Sequence, residues 1–74
     1  MNSQKLIEIG TRLRFARESL GMSQDKAAST IGKNQSFISR CETGHHKLLV
    51  AELIQFCQIY RKSPTFFIGE FNEK

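Results

Sequence analysis

The stretch Ser23–Glu42, SQDKAASTIGKNQSFISRCE, reads as two short helices joined by a tight turn at Gly32. Ser23 is a good N-cap, since its hydroxyl can accept one of the amide protons that a first helical turn leaves unpaired. The run that follows places Ala27, Ala28 and Ile31 on one buried side. Two consecutive alanines mean that another helix approaches closely. Gly32 ends this helix, as a residue free to turn left-handed does, and Asn34 or Gln35 opens the next. The inward positions of that second helix are Ile38 and Cys41, whereas Gln35, Ser36, Ser39 and Arg40 fall on other faces. A buried stripe so narrow leaves most of the helix outside.

That layout is a helix-turn-helix, in which a first helix lies across a phosphate backbone and a second presents side chains to base edges in the major groove. The expected partner is therefore double-stranded DNA. Charge agrees: eleven Lys and Arg against seven Asp and Glu leave a formal +4, a moderate excess that favours polyanions. No apolar run approaches the ~18 residues that span a bilayer, and the polar start Met-Asn-Ser-Gln-Lys lacks an export signal. A cytoplasmic chain with no membrane partner is expected.

Outward from the central stretch, the pattern is helical almost throughout. From about Ser3 to Leu20, the residues Leu6, Ile9, Leu13, Ala16 and Leu20 recur at intervals of three and four and define one buried stripe, stopped by Gly21. Beyond Gly44 and the loop His45-His46-Lys47, a fourth stripe runs through Val50, Leu53, Ile54, Cys57 and Tyr60. Ser63 then caps a fifth helix, about 64–72, whose first residue is Pro64, the position where a missing amide costs least. No segment alternates with period two for long. The fold class is all-α: a compact bundle of five helices, one domain over residues 1–74, with the helix-turn-helix at its centre.

Cys41 and Cys57 sit at apolar positions, and their sixteen-residue separation matches no metal-binding knuckle. Adjacent His45 and His46 rarely aim at one ion, so no metal or other cofactor is expected. No nucleophile stands with a base and an orienting acid, and no glycine-rich phosphate loop is present, which argues against an enzyme.

Leu13, Arg17, Gly21, Met22, Ser23, Gln24, Ala28, Gly32, Gln35, Ser36, Ile38, Ser39, Glu42 and Gly44 together resemble the signature of the lambda-repressor-like, Xre-type helix-turn-helix family. The spacing from Ser-Gln to Glu-x-Gly is its most specific part. The segment from Gly44 to Leu53 is further similar to single-domain members such as restriction-modification controller proteins. Three positions depart from the pattern: Lys33 replaces a small or apolar residue, Ala27 a leucine and Cys41 a branched aliphatic. These changes trim the core and leave the polar signature intact.

The resemblance implies roles for the polar residues. Ser23 and Gln24 would clamp a phosphate from the start of the first helix of the motif. Gln35 and Ser36, with Ser39 and Arg40, would contact bases: a glutamine can pair with adenine N6 and N7, an arginine with guanine O6 and N7. Without the signature around them, these would be a solvated helix face. Arg17 and Glu42 would form an ion pair between helices that orients the reader. Asn34, Thr43, His45, His46 and Lys47 would line neighbouring phosphates. Lys33 either adds a phosphate contact or is solvated, Ser39 could instead reach a phosphate, and Phe37 either covers a thymine methyl or packs in the core.

Phe66, Phe67, Ile68 and Phe71 exceed what one face of a short helix can bury. They are a candidate homodimer interface, the alternative being a monomer with a terminal plug. The expected function is a DNA-binding transcriptional regulator acting on a palindromic operator as a homodimer. An antitoxin-like or adaptor protein that mainly binds a protein partner is the alternative.

Overall fold

Helix caps divide the chain before packing does. The computed structural model describes residues 3–69, and these form five helices: α1 Ser3–Ser19, α2 Gln24–Thr30, α3 Gln35–Thr43, α4 Val50–Tyr60 and α5 Pro64–Ile68. The Ser23 hydroxyl accepts the Lys26 amide at 3.0 Å, and the Asn34 side chain accepts the Phe37 amide at 2.9 Å, so both helices of the central stretch start on side-chain caps. Gly44 ends α3 at φ 81, and a Cβ there would also lie 2.9 Å from the Ile7 backbone nitrogen. Glycine is required there twice over.

Helix α1 crosses α3 closely enough that side chains cannot intervene. A Cβ on Gly10 would stand 2.5 Å from the Glu42 carbonyl oxygen and 2.6 Å from that of Cys41. Around this crossing Ile9, Leu13, Ala16, Ala27, Ala28, Ile38 and Cys41 are buried. An aromatic column completes the core: Phe37 stacks on Phe56 at 6.3 Å, Phe56 on Tyr60 at 5.5 Å, and Tyr60 tilts against Phe67 at 6.5 Å. It ties α3, α4 and α5 together. Helix α5 is fixed to α1 by Lys5 Nζ donating to Ile68 O at 2.6 Å and Arg12 Nη1 donating to Phe67 O at 3.1 Å, cations placed on its unpaired C-terminal carbonyls.

Several expectations are corrected. Leu20 is exposed, because α1 ends at Ser19 and the chain turns at Gly21 with φ 66, which carries Leu20 off the helical stripe. In α4 the buried positions are Glu52, Phe56 and Tyr60, while Val50 and Ile54 face outward. That helix is apolar nearly all round, and the bulk of Phe56 and Tyr60 decides which side goes in. Ile31 is half-buried against the core rather than fully enclosed. Helix α5 ends at Ile68, where Gly69 takes φ 78; the remainder of the span expected to 72 lies outside the described residues. Among the described residues no helix is long and apolar enough to cross a membrane.

Candidate nucleic-acid interface

The outer face of α3 rests on a buried ion pair. Arg17 Nε donates to Glu42 Oε2 at 2.6 Å and Nη2 to Oε1 at 3.1 Å, while Nη1 donates to the Met22 carbonyl at 2.6 Å. Both partners are buried. The Glu42 bond outweighs the effect of burial and raises the Arg17 pKa further, so the guanidinium stays charged.

From Glu42 the network continues outward. Gln24 Nε2 donates to Glu42 Oε1 at 3.0 Å, and Gln35 Nε2 donates to Gln24 Oε1. The carboxylate fixes every orientation in this relay. It can only accept, so Gln24 must turn its nitrogen to Glu42 and its oxygen to Gln35, which must then answer with its own nitrogen. Gln35 is exposed and keeps its oxygen and one further N–H toward solvent. One turn on, Arg40 Nη1 donates to Ser36 Oγ at 3.3 Å, and Ser36 Oγ donates to Asn34 Oδ1 at 3.0 Å. Gln35, Ser36 and Arg40 thus form one exposed polar face, with Ser39 half-buried at its edge.

Residues 8–65 match the family model described as a helix-turn-helix domain. The chain belongs to the helix-turn-helix family. It is 33% identical over 64 residues to an HTH-type transcriptional regulator of Sinorhizobium medicae and, at the same identity and length, to one of Rhizobium meliloti. In each case 86% of this chain and 46% of the relative are covered, so the chain spans about half the length of the curated relatives it matches. Its fold is that of the restriction-modification controller protein C.AhdI from Aeromonas hydrophila, with a TM-score of 0.81 at 23% identity over 88% of this chain and 94% of the other. Within the helix-turn-helix, α2 is the first helix and α3 the recognition helix.

The residues expected at phosphates are distributed unevenly. Ser23 and Asn34 serve as caps through their oxygens and remain exposed, leaving the Ser23 hydroxyl proton and the Asn34 amide protons as donors. Thr43 Oγ1 lies 2.8 Å from His45 Nδ1, and both residues are exposed, as is Lys47. Lys33 is exposed with its ammonium 5.0 Å from the centre of the Phe37 ring, a cation–π contact in place of simple solvation. His46 turns inward. Its Nε2 lies 2.9 Å from Glu52 Oε1 and its ring meets Phe37 edge-on at 4.9 Å, which takes it away from a phosphate. Phe37 is buried on Phe56 and so packs in the core.

The Glu52 carboxylate also accepts the Leu49 amide at 2.9 Å, half of a capping box for α4. Burial pushes the Glu52 carboxyl up, but the Leu49 amide and His46 overcome this and hold it below the ordinary value. The buckle closes the loop behind the recognition helix. Nothing in the local sequence announces it beyond a glutamate three residues into an apolar helix.

The C-terminal aromatics divide. Phe67 is fully enclosed in the core and offers nothing to a partner, which corrects its place in the expected interface. Phe66 is half-buried, with Phe15 at 6.2 Å on one side and the Lys62 ammonium 4.7 Å from its ring centre. Ile68 is half-buried, and Phe71 lies outside the described residues. Burial pushes the Cys41 thiol up to about 12, and among the described residues no cluster of His, Cys, Asp or Glu could hold a metal.

Proposed function

We propose that this chain is a sequence-specific, DNA-binding transcriptional regulator of the cytoplasm that works without catalysis and binds a palindromic operator as a homodimer. The observation that carries this reading is the relay Arg17–Glu42–Gln24–Gln35. Gln35 enters the major groove with its amide already oriented. Its free oxygen accepts from adenine N6 and its free N–H donates to N7, without breaking the bond to Gln24. Gln24 keeps a second amide proton for the adjacent phosphate, and Ser23 its hydroxyl.

Arg40, aligned along the same face by Ser36, reaches guanine O6 and N7 through its remaining donors. Each bidentate contact is worth about 1–3 kcal/mol of discrimination against the wrong base. Ser36 and Ser39 contact neighbouring base edges. Lys33, Asn34, Thr43, His45 and Lys47 hold the recognition helix in register through phosphates, which positions it without reading sequence. Two copies related by a two-fold axis would place two such helices about one DNA turn apart.

Equilibrium binding to a sequence selected from random duplexes tests this. Binding to that site should exceed binding to scrambled duplex by roughly 10³-fold or more, and fall steeply between about 50 and 200 mM salt as counterions are released. Equal affinity for both duplexes would refute it.

A further inference from the structure

A second surface, away from the recognition helix, pairs aromatic rings with cations. Phe15 on α1 is 61% exposed, and its ring centre lies 6.2 Å from that of Phe66 on α5. The Lys62 ammonium stands 4.7 Å from the Phe66 ring centre. Arg61, beside it in the chain, is exposed and takes φ 58, a left-handed backbone that a residue with a Cβ adopts at a cost and glycine adopts freely. Arg12, one turn before Phe15, adds a third cation, anchored on the Phe67 carbonyl at 3.1 Å. Acids on this side of α1 are already engaged: Glu18 with Arg14 at 3.0 Å and Glu8 with Lys5 at 3.8 Å.

Charge and ring packing decide the occupant. A second copy of the chain would bring the same cations, Arg12, Arg61 and Lys62, to the contact, so that like charges face one another. Duplex DNA would answer the cations but leave both rings without an apolar partner. Single strands bind by stacking bases on open ring faces. Phe66 is hemmed in instead, by the Lys62 ammonium, by Phe15 and by Phe67 edge-on at 5.2 Å. An acidic protein segment satisfies both features: apolar side chains cover the rings while carboxylates pair with the surrounding cations.

We infer that the Phe15–Phe66 face docks an acidic, amphipathic segment of a partner protein, its apolar side chains on the two rings and its carboxylates on Arg61 and Lys62. At 3.6 residues per turn, Phe15 stands about 160° around α1 from Arg17, whose guanidinium grips Glu42 of α3. The face therefore points away from the recognition helix. A partner can sit here while the helix-turn-helix holds DNA, so the inference goes beyond the DNA-binding reading without depending on it. It also gives Arg61 a reason to keep its strained backbone, since glycine there would relax the turn and give up a contact to the partner.

Selection on the full chain from a phage-displayed library of random peptides, each about four helical turns long, tests the assignment. Enriched peptides should interleave Asp or Glu with leucine or aromatic residues, and a synthetic copy of the strongest should bind the wild type about tenfold or more tighter than Phe15→Ala, Lys62→Glu and Arg61→Gly. Arg61→Gly should melt no lower than the wild type, which separates a lost contact from a lost fold. The same peptide should bind the free chain and its complex with the selected operator duplex alike. Enriched peptides that are neutral or basic, that bind all three variants as tightly as the wild type, or that compete with the duplex would overturn the inference. So would tighter binding of single-stranded oligothymidylate that Phe15→Ala abolishes, which would assign the face to nucleic acid, or a dimer in sedimentation equilibrium that Phe15→Ala dissociates, which would assign it to a second copy. A chain that binds the peptide as expected but no duplex would overturn the DNA-binding reading alone.

Discussion

Gln24 of the first motif helix and Gln35 of the recognition helix share a hydrogen bond whose direction is dictated from the core by Glu42. The exposed amide of Gln35 is thereby set by an ion pair at the α1–α3 crossing. Orientation of the exposed amide costs nothing at the moment of binding, because the Arg17–Glu42 pair has already fixed it.

Removing one partner of that pair should unfold more than it untethers. Arg17→Ala leaves a buried carboxylate with only Gln24 on it, and loss of one member of a buried pair typically costs about 3–5 kcal/mol. Arg17→Lys, which cannot make the forked contact, should fall between the two. Thermal unfolding monitored by circular dichroism checks this, and DNA affinity should decline in the same order. An unchanged melting temperature in Arg17→Ala would sink the assignment.

Gly10→Ala should act on α3 although it changes α1. The added methyl meets main-chain carbonyls of Cys41 and Glu42, which cannot rotate away, so one helix must shift. Overpacking of this kind costs about 1–3 kcal/mol. Urea unfolding should show that loss, and the variant should also bind operator more weakly at temperatures where it remains folded. Unaltered stability would mean that the helices cross more loosely.

The Tyr60 hydroxyl is buried with no hydrogen-bond partner among the described residues, and burial pushes its pKa upward. Deleting it removes an unsatisfied polar group and keeps the ring stacked on Phe56. Tyr60→Phe should therefore be neutral or stabilising in thermal unfolding. A substantial loss would reveal a partner for that hydroxyl.

The caps, turns and glycine stops of the central stretch are local chemistry, and so Ser23, Gly32 and Gly44 could be placed from the sequence, while the choice between Asn34 and Gln35 at the start of α3 was settled by the Asn34 cap. The exposed face of α3 followed from its narrow stripe. The register of α4 could not be chosen the same way: Val50 and Ile54 fit an apolar stripe as well as Phe56 does, and only packing volume separates them. Gly10 and the His46–Glu52 buckle were invisible because each is defined by a segment distant or unpatterned in the chain. The family resemblance raised the expectation of a phosphate at Gln24, whereas its bond to Glu42 depends on how two helices cross.

Acid should expose the buckle. The Glu52 pKa is depressed in the folded chain, so the unfolded state binds more protons as pH falls. The stabilisation is fully present above the unfolded value near 4.5 and is lost as pH drops through the folded pKa. Glu52→Gln should thus be less stable than wild type at neutral pH and show a shallower decline in chemical-denaturation midpoint from pH 6 toward pH 3. Parallel profiles for the two proteins would remove Glu52 from the account.

The central claim is that Gln35 and Arg40 read bases from a platform fixed by Glu42. Its most direct test is selection of bound sequences from random duplex DNA by the wild type, Gln35→Ala and Arg40→Ala. The account predicts a two-fold symmetric site in which Gln35→Ala loses preference for adenine at one position of each half-site and Arg40→Ala loses preference for guanine at another. Recovery of the same base preferences by all three proteins would contradict it.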